Sequence, residues 1–432
     1  MCSAHRIVLE AAFAQGLRDG LPVLIESTVN QVNQFGGYTG LVPNTWADLV
    51  GMLAEQMRFP PDRLILGGDH LGPYPWRFEH AAVAMEKARD LVTACVRAGF
   101  TKIHVDASMP LGGDVVDEDG ALNPRLVAER EAELAGASEE AFNEHGAARA
   151  DAVPVYVIGT EVPPPGGISA TAEPAEREGP MPLLVTRVED LRESVSFCQK
   201  AFSDRGLEEA WTRVCAVVAQ PGVEYGDQEV RAYDRDRAAP LCAAARGLPG
   251  IVLEGHSTDY QSMSHLCQLV EDGIAILKVG PALTFALREC LVSLESVERE
   301  LLRGAPEWHP SGLSETLERA MVSDPRHWKD YYVGSEPQKA RARKYSYSDR
   351  SRYYWNIPEV SASVDRLIAN LRGAAIPLTV LSQFLPHHYQ AVREDRLGTD
   401  PRELLRESVR RVLEVYSIAA RRGRGPGASE TA

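Results

Sequence analysis

The chain has 432 residues, of which 44% are hydrophobic and 25% are charged, and its net charge is −15. This length and composition suit a globular protein with a sizeable core, built as one barrel with additions or as two or three smaller domains. The acidic charge argues against a nucleic-acid binder, which would carry a basic footprint. No apolar run is long enough for a membrane span, and the N-terminus does not have the pattern of a signal peptide. The seven cysteines are scattered, which suits reduced thiols. We therefore expect a cytoplasmic protein.

Seven short runs rich in β-branched residues predict buried parallel strands. They lie at 22–28, 63–70, 102–108, 155–161, 213–220, 250–256 and 275–280. Runs such as LILGGDH and IVLEGHS are apolar on successive residues, as expected for strands that are covered on both faces. Helical stretches separate several of the strands, among them 7–15, 81–98 and 283–302, and this alternation predicts βαβ units.

Each predicted strand ends in polar side chains that are capable of chemistry. They are Glu26, Asp69, His70, Asp106, Glu161, Gln220, Glu254, His256 and Lys278. Polar groups at the carboxyl ends of successive parallel strands are typical of a barrel, whereas a doubly wound sheet gathers them at one switch point. We therefore predict an α/β fold, a TIM (β/α)8 barrel over residues 1–305, with an eighth strand near residues 2–5.

The alternation of strands and helices stops after about residue 305. Helical and aromatic-rich segments follow, so we predict a helical C-terminal extension over 306–416 and a disordered tail over 417–432. Two inserts rich in glycine, proline or acidic residues, at 112–124 and 163–182, each follow a strand end, where barrel enzymes keep their working loops. A plain surface loop or partial disorder is the alternative for both inserts.

The segment from Gly67 to Pro73 places a carboxylate beside an imidazole at a strand end. His70 could bind a divalent metal through a neutral ring nitrogen, and Asp69 could move a proton or orient the ring. Neighbouring residues of a strand face opposite ways, so both side chains reach one site only through a bend, which the flanking glycines permit. A turn with a buried, hydrogen-bonded Asp69 is the alternative.

Two later strand ends add possible ligands. Glu254 and His256 are two residues apart and therefore share one face of an extended strand. With His70 and Glu161 they would supply two imidazoles and one or two carboxylates, a set that suits Zn²⁺ or Mn²⁺. Taken singly, each of these residues also fits a satisfied polar residue of the core.

Other residues suit a phosphorylated polyhydroxyl ligand. The glycine-rich loop after the first strand carries the amides of Asn30, Gln31 and Asn33. Asp106 could contact sugar hydroxyls or form hydrogen bonds inside the barrel. Lys278 and the helix N-terminus after Gly280 could hold a phosphate, with a salt-bridged core lysine as the alternative.

Anion binding has one further candidate, and nucleotide binding has none. Arg350 and Arg352 in SDRSRYYW could also reach an anion. The sequence has neither GxxxxGK[ST] nor GxGxxG, so we expect no nucleotide cofactor.

Several long segments of the chain resemble the GatZ/KbaZ subunits of class II D-tagatose-1,6-bisphosphate aldolase. They include STVNQVNQFGGYTG, LGGDHLGP, YVIGTEVPPPGG, EGHSTDYQ and SDRSRYYW, and the resemblance runs from about residue 2 to about residue 416. It implies a barrel protein of galactitol, N-acetylgalactosamine or tagatose catabolism. Such subunits have no aldolase activity of their own, and the class II catalytic subunit needs them for full activity and stability. Some relatives carry a tagatose-6-phosphate kinase label, and others interconvert fructose 6-phosphate and tagatose 6-phosphate by C4 epimerisation.

The resemblance also implies a remodelled metal site. Class II aldolases pair a catalytic Asp with a metal-binding His after one strand and place two more metal-binding His residues after later strands. By position, Asp69 and His70 match the first pair, Glu161 stands where one later ligand would be, and His256 lies near the other. A Glu in place of a His departs from the aldolase pattern, which argues against aldolase activity and leaves metal binding open.

Two hypotheses follow from the sequence. In the first, the chain is a supporting subunit that binds the class II catalytic subunit. In the second, it is a metal-dependent enzyme acting on a ketohexose 6-phosphate, in which Asp69 and Glu254 shuttle protons. A sugar-phosphate ligand and a homo-oligomer are compatible with both hypotheses.

Overall fold

The structure, a computed structural model, describes residues 1–118, 120–145, 153–159, 185–305 and 307–422. The strands in these ranges are β1 (Val23–Thr28), β2 (Leu64–Leu71), β3 (Lys102–Val105), β4 (Val155–Ile158), β5 (Val214–Ala219), β6 (Glu224–Tyr225), β7 (Val230–Arg231), β8 (Val252–Gly255) and β9 (Ile274–Leu277). The helices of the first part of the chain are α1 (Arg6–Asp19), α2 (Pro43–Gln56), α3 (Ala81–Arg97), α4 (Pro124–His145), α5 (Val188–Asp204), α6 (Glu208–Trp211), α7 (Arg235–Ala245), α8 (Met263–Glu271) and α9 (Pro281–Leu302). Those that follow are α10 (Leu313–Ser323), α11 (Glu336–Tyr345), α12 (Pro358–Leu371), α13 (Leu378–Phe384), α14 (Pro386–Arg393) and α15 (Pro401–Arg422).

One parallel sheet organises the first part of the chain. Within the described residues it has seven strands in the order β1-β2-β3-β4-β5-β8-β9, while β6 and β7 form a separate antiparallel pair. Parallel neighbours need a crossover connection, and helices such as α3 and α8 supply it. The predicted α/β fold is confirmed, and each of the seven predicted strands overlaps one strand of this sheet.

The sheet curls until its first and last strands approach each other at the N-terminal segment. The backbone N–H of Cys2 donates to the carbonyl of Val279 at 2.8 Å, and Cys2 also forms a parallel bridge with Glu26 of β1. Directly after β9, Lys278 Nζ lies 2.5 Å from Glu26 Oε2. At residues 2–5, where the sequence predicts an eighth strand, the described chain has a single β-bridge instead of a strand. This bridge joins Cys2 to β1, and the hydrogen bond of Cys2 to Val279 links it to the end of β9.

The hydrophobic core lies between the sheet and its surrounding helices. Sheet residues such as Ile25, Ile103 and Ile158 are fully buried in it. The helices face it with residues at spacings of three and four, as α3 does with Ala84, Ala88, Leu91 and Cys95. This amphipathic pattern explains why the helices cover the outside of the sheet.

Helices α10 to α15 follow the last strand, as predicted for a helical C-terminal extension. α15 packs against α1, α8 and α9, so the extension lies on the helical layer of the barrel. α15 continues to Arg422, so residues 417–422, which the sequence assigned to a disordered tail, are helical; residues 423–432 lie outside the described residues. A domain boundary at residue 305 stays a prediction.

Two further sequence expectations concern loops and membranes. The predicted loop at 112–124 pairs with the loop after β2, through a bridge between Gly112 and His80, whereas the one at 163–182 lies outside the described residues.

No helix in the described ranges is long and apolar enough to cross a bilayer.

The end of β2 contains the bend that the sequence requires for Asp69 and His70 to share a site. The register between β2 and β3 shifts between Gly68 and Leu71, and His70 itself has a left-handed φ of 50°. This conformation is uncommon for a residue with a side chain, so the surrounding structure must impose it. The next turn is tight as well, because a Cβ at Gly72 would lie 1.7 Å from the carbonyl oxygen of Asp106.

We predict that Gly72→Ala lowers the free energy of unfolding by about 1–3 kcal/mol or more, because the backbone of β3 must move to admit the methyl group. Gly51→Ala is the matched control, since Gly51 is an exposed residue of α2 with no neighbouring atom within 4 Å of an added Cβ. In a helix this control should leave stability unchanged or raise it by about 0.5–1 kcal/mol. Denaturant unfolding of both variants tests the prediction, which is wrong if the two are equally stable.

Candidate functional site

Four buried side chains form a cluster at the carboxyl end of the sheet. Asp69 and His70 come from β2, His104 from β3, and His256 directly follows β8. Each offers one potential ligand atom, and the four atoms lie within 4.8 Å of one another. The ring centroid of His70 is 4.8 Å from that of His104 and 4.8 Å from that of His256. This cluster, Asp69-His70-His104-His256, brings together three of the predicted site residues and adds His104.

Each imidazole of the cluster is held by a carboxylate. The pairs are His70 Nδ1 with Asp106 Oδ2 at 2.7 Å, His256 Nε2 with Glu254 Oε1 at 2.9 Å, and His104 Nδ1 with Asp69 Oδ1 at 3.0 Å. A carboxylate bound to one ring nitrogen fixes the orientation of the ring and leaves the other nitrogen for a ligand. In His104 this other nitrogen, Nε2, is buried and has no hydrogen-bond partner among the described residues. A buried ring nitrogen without a hydrogen-bond partner, beside two further imidazoles, is chemically suited to bind a ligand.

Burial and neighbouring charges shift the pKa values of the cluster in different directions. Burial lowers the pKa of His256 to about 4, although the hydrogen bond to Glu254 acts the other way. Burial also favours neutral His70, but the charge of Asp69 and the hydrogen bond to Asp106 outweigh it and raise the pKa of His70. Burial would raise the pKa of Asp106, yet its hydrogen bond with His70 holds that pKa below the usual range. At neutral pH the His256 ring is therefore neutral, the state in which imidazole binds a metal.

A buried network of two lysines and three carboxylates adjoins the cluster. Lys102 Nζ lies 2.6 Å from both Glu26 Oε1 and Glu254 Oε2. Lys278 Nζ lies 2.5 Å from Glu26 Oε2 and 2.8 Å from Asp69 Oδ1. Charges removed from water persist only when they are paired. Because Glu254 and Asp69 also bind imidazoles of the cluster, this lysine–carboxylate network fixes where those rings lie.

The cluster opens into a pocket. Seven of the predicted site residues line it: Asn30, Gln31, Asp69, His70, His256, Lys278 and Gly280. Tyr38 from the loop after β1 lines it as well, and the C-terminal extension contributes Arg352 and Tyr353. The pocket is therefore built jointly by barrel loops and extension.

The remaining predicted site residues that the structure describes lie behind or outside this pocket. Asp106 binds His70 and also accepts two hydrogen bonds from Ser108. Glu254 is fully buried beside His256. Asn33 holds its own loop by hydrogen bonds to backbone groups and lines a neighbouring cavity. Glu161 lies outside the described residues, so its role as a ligand stays a prediction.

The donors of the predicted phosphate site have protein partners in this structure. The ammonium group of Lys278 lies among carboxylates of the buried network, as the salt-bridged alternative describes. At the N-terminus of α9, the Asp259 carboxylate accepts hydrogen bonds from the backbone N–H groups of Gly280 at 3.0 Å and Ala282 at 2.8 Å. A phosphate at this position would have to displace Asp259. Phosphate binding by Lys278 and Gly280 stays a prediction.

Sequence reasoning missed His104 as a member of the cluster. The signal was present, because His104 and Asp106 have the same spacing of two residues as Glu254 and His256 on another strand. For Lys102 the sequence offers no such signal, since this residue stands at the start of its strand and not at the polar end.

Comparisons with known proteins agree on one family. A family model described as D-tagatose-1,6-bisphosphate aldolase subunit GatZ/KbaZ-like matches residues 1–421. The chain is 44% identical over 416 residues to the D-tagatose-1,6-bisphosphate aldolase subunit GatZ of Salmonella heidelberg (strain SL476), which covers 96% of this chain and 94% of that protein. A crystal structure of a probable tagatose 6 phosphate kinase from Sinorhizobium meliloti 1021 is 43% identical with a TM-score of 0.85, covering 97% of this chain and 98% of that one. The chain therefore belongs to the GatZ/KbaZ-like family, as the resemblance of its motifs predicted.

Proposed function

We propose that this chain is the supporting subunit of a class II D-tagatose-1,6-bisphosphate aldolase. The observation that carries the proposal is the 44% identity, over 96% of the chain, to a protein named as that subunit. In this role the chain binds the catalytic subunit and maintains its activity and stability in the catabolism of galactitol, N-acetylgalactosamine or tagatose. The unpaired state of all seven cysteines supports a reducing compartment such as the cytoplasm.

We predict that adding the chain to the catalytic subunit of a class II tagatose-bisphosphate aldolase from the same organism raises aldolase activity and prolongs its half-life, because binding stabilises the folded partner. Residual activity is measured over time at a fixed temperature, and complex formation by size-exclusion chromatography with light scattering. An equal mass of an unrelated protein is the control for nonspecific protection. If activity, half-life and elution all stay unchanged, the subunit proposal fails.

We also propose that the three imidazoles of the Asp69-His70-His104-His256 cluster hold one Zn²⁺ or Mn²⁺ ion, with Asp69 beside it. Ligand atoms around a tetrahedral ion with bonds of about 2.0–2.2 Å lie roughly 3.5 Å apart, so the cluster, whose ligand atoms lie within 4.8 Å of one another, contracts around the ion when it binds. The neighbouring network has three carboxylates against two ammonium groups, and a bound cation compensates this excess of negative charge. Glu161 remains a candidate for a further ligand.

We expect the metal-free chain to take up one Zn²⁺ or Mn²⁺ per molecule, and His104→Ala to lower the affinity by roughly tenfold or more, because a ring nitrogen is lost from the cluster. His309→Ala is the matched control, since His309 is exposed and far along the chain in the extension. Calorimetric titration after treatment with a chelator gives affinity and stoichiometry. Equal binding by the two variants, or no binding by the unaltered chain, would contradict the proposed site.

A second candidate function is favoured by the open pocket beside the cluster. A subunit that only stabilises a partner needs no buried imidazoles facing a pocket, whereas an enzyme acting on a ketohexose 6-phosphate does. A divalent ion at the cluster would polarise the sugar ketone. Asp69 lines the pocket, and although burial would raise its pKa, the charges of Lys278 and His70 hold that pKa well below the usual range, so the carboxylate stays ionised. Glu254 would act through the ring of His256.

We predict that, if this second function holds, the chain with Mn²⁺ or Zn²⁺ converts fructose 6-phosphate to tagatose 6-phosphate by C4 epimerisation. Asp69→Asn should then lower the rate by about 10²–10⁴-fold, the usual contribution of a positioned base, while His309→Ala leaves it unchanged. Product is measured by chromatography of the sugar phosphates. Absence of product with every metal tested would remove the epimerase and leave the subunit proposal untouched. We do not propose a kinase, because the sequence lacks the phosphate-binding glycine motifs.

A further inference from the structure

A second, larger cavity adjoins the pocket of the cluster. It has a volume of about 700 Å³, against about 80 Å³ for the pocket, and lies between loops of the barrel and the C-terminal extension. Asn30, Tyr38 and Tyr353 line both spaces, so the two are neighbours. A cavity of this size is typical of small-ligand sites.

The cavity is cationic, although the whole chain carries a net charge of −15. Three arginines line it, Arg77 from the loop after β2 and Arg326 and Arg350 from the extension. Among its described lining residues Asp324 is the one carboxylate, and it pairs with Arg326 at 2.7 Å. Three guanidinium groups against one carboxylate leave an excess of positive charge, which favours an anionic ligand.

Two of the three arginines, Arg350 and Arg77, are held in position before any ligand binds. Arg350 is 2% exposed, its Nη1 donates to the carbonyl of His327 at 2.8 Å, and its guanidinium group lies over the ring of Tyr331. Arg77 stacks on Tyr74, with its guanidinium carbon 4.5 Å from the ring centroid. A planar guanidinium group in a fixed position matches the oxygens of a phosphate, and prior ordering lowers the cost of binding.

We propose that this cavity binds the phosphate group of a sugar phosphate whose carbonyl end lies at the cluster. The proposal rests on the sugar-phosphate function proposed above. It places the phosphate at Arg77, Arg326 and Arg350 instead of at Lys278 and the N-terminus of α9, where protein carboxylates already take the donors. The tyrosine and asparagine side chains shared by cavity and pocket suit the sugar hydroxyls between the two ends.

The test compares three probes, inorganic phosphate, fructose 6-phosphate and unphosphorylated fructose, by calorimetric titration of the full chain. The Arg77→Gln/Arg326→Gln double variant removes two cationic side chains that are partly or largely exposed, so we expect it to fold. Arg341→Gln, on the exposed surface of α11, is the matched control for charge. For each of the two phosphate probes, we expect the unaltered chain and the control to have the same affinity. The double variant should bind each probe with an affinity at least about tenfold lower.

Two results would overturn the proposal. One is an unaltered chain that binds neither inorganic phosphate nor fructose 6-phosphate, and the other is a double variant that binds them as tightly as the control does. Because binding of phosphate needs neither the aldolase partner nor turnover, the outcomes separate from those of the proposed function. Epimerase turnover with normal phosphate binding by the double variant removes only the phosphate site, whereas arginine-dependent phosphate binding without turnover removes only the epimerase function.

Discussion

The ion pairs of Lys102 and Lys278 with buried carboxylates constrain the whole carboxyl end of the barrel. Glu26 binds both lysines, so loss of either lysine leaves buried carboxylates without their counter-charge in a place that water does not reach. The same pairs join the first strand to the end of the last one, because Glu26 belongs to β1 and Lys278 follows β9. Closure of the sheet and the geometry of the cluster therefore depend on one set of side chains. A site fixed in this way sits on the rigid part of the fold and not on its loops.

The backbone strain at His70 is maintained by the cluster and its carboxylate partner. A left-handed residue with a side chain is costly, and it persists only where its surroundings over-determine it. Here the ring of His70 is held by Asp106 at 2.7 Å. Strained residues of this kind concentrate at functional sites. The bend that brings His70 beside Asp69 is thus maintained by the cluster that it creates.

How far the sequence predicts this structure depends on the range of the interactions involved. The strands are predicted well because each is apolar on successive residues, which is a local pattern, and polar strand ends identify Asp69, His70 and His256 for the same reason. Lys278 is different, because its partner Glu26 is 252 residues away, and no local pattern chooses between a phosphate and a carboxylate as its counter-charge. The occupation of the α9 N-terminus by Asp259 is likewise a tertiary contact. Local sequence patterns therefore indicate which polar residues lie at the site, whereas the partners of those residues are determined by tertiary contacts between distant parts of the chain.

The C-terminal extension is more than an addition to the barrel, because one buried contact couples its packing to the pocket. Asp349, with a left-handed φ of 40°, accepts hydrogen bonds from Thr284 at 2.5 Å and Arg288 at 3.0 Å, both on α9. Next in the chain are Arg350, which lines the cationic cavity, and then Arg352 and Tyr353, which line the pocket of the cluster. The contact that docks the extension on α9 thereby also places its arginines at the site. The extension supplies Arg326 and Arg350, two of the three arginines of the cationic cavity, so the selection of an anionic ligand depends on the extension, while the residues of the cluster all belong to the barrel.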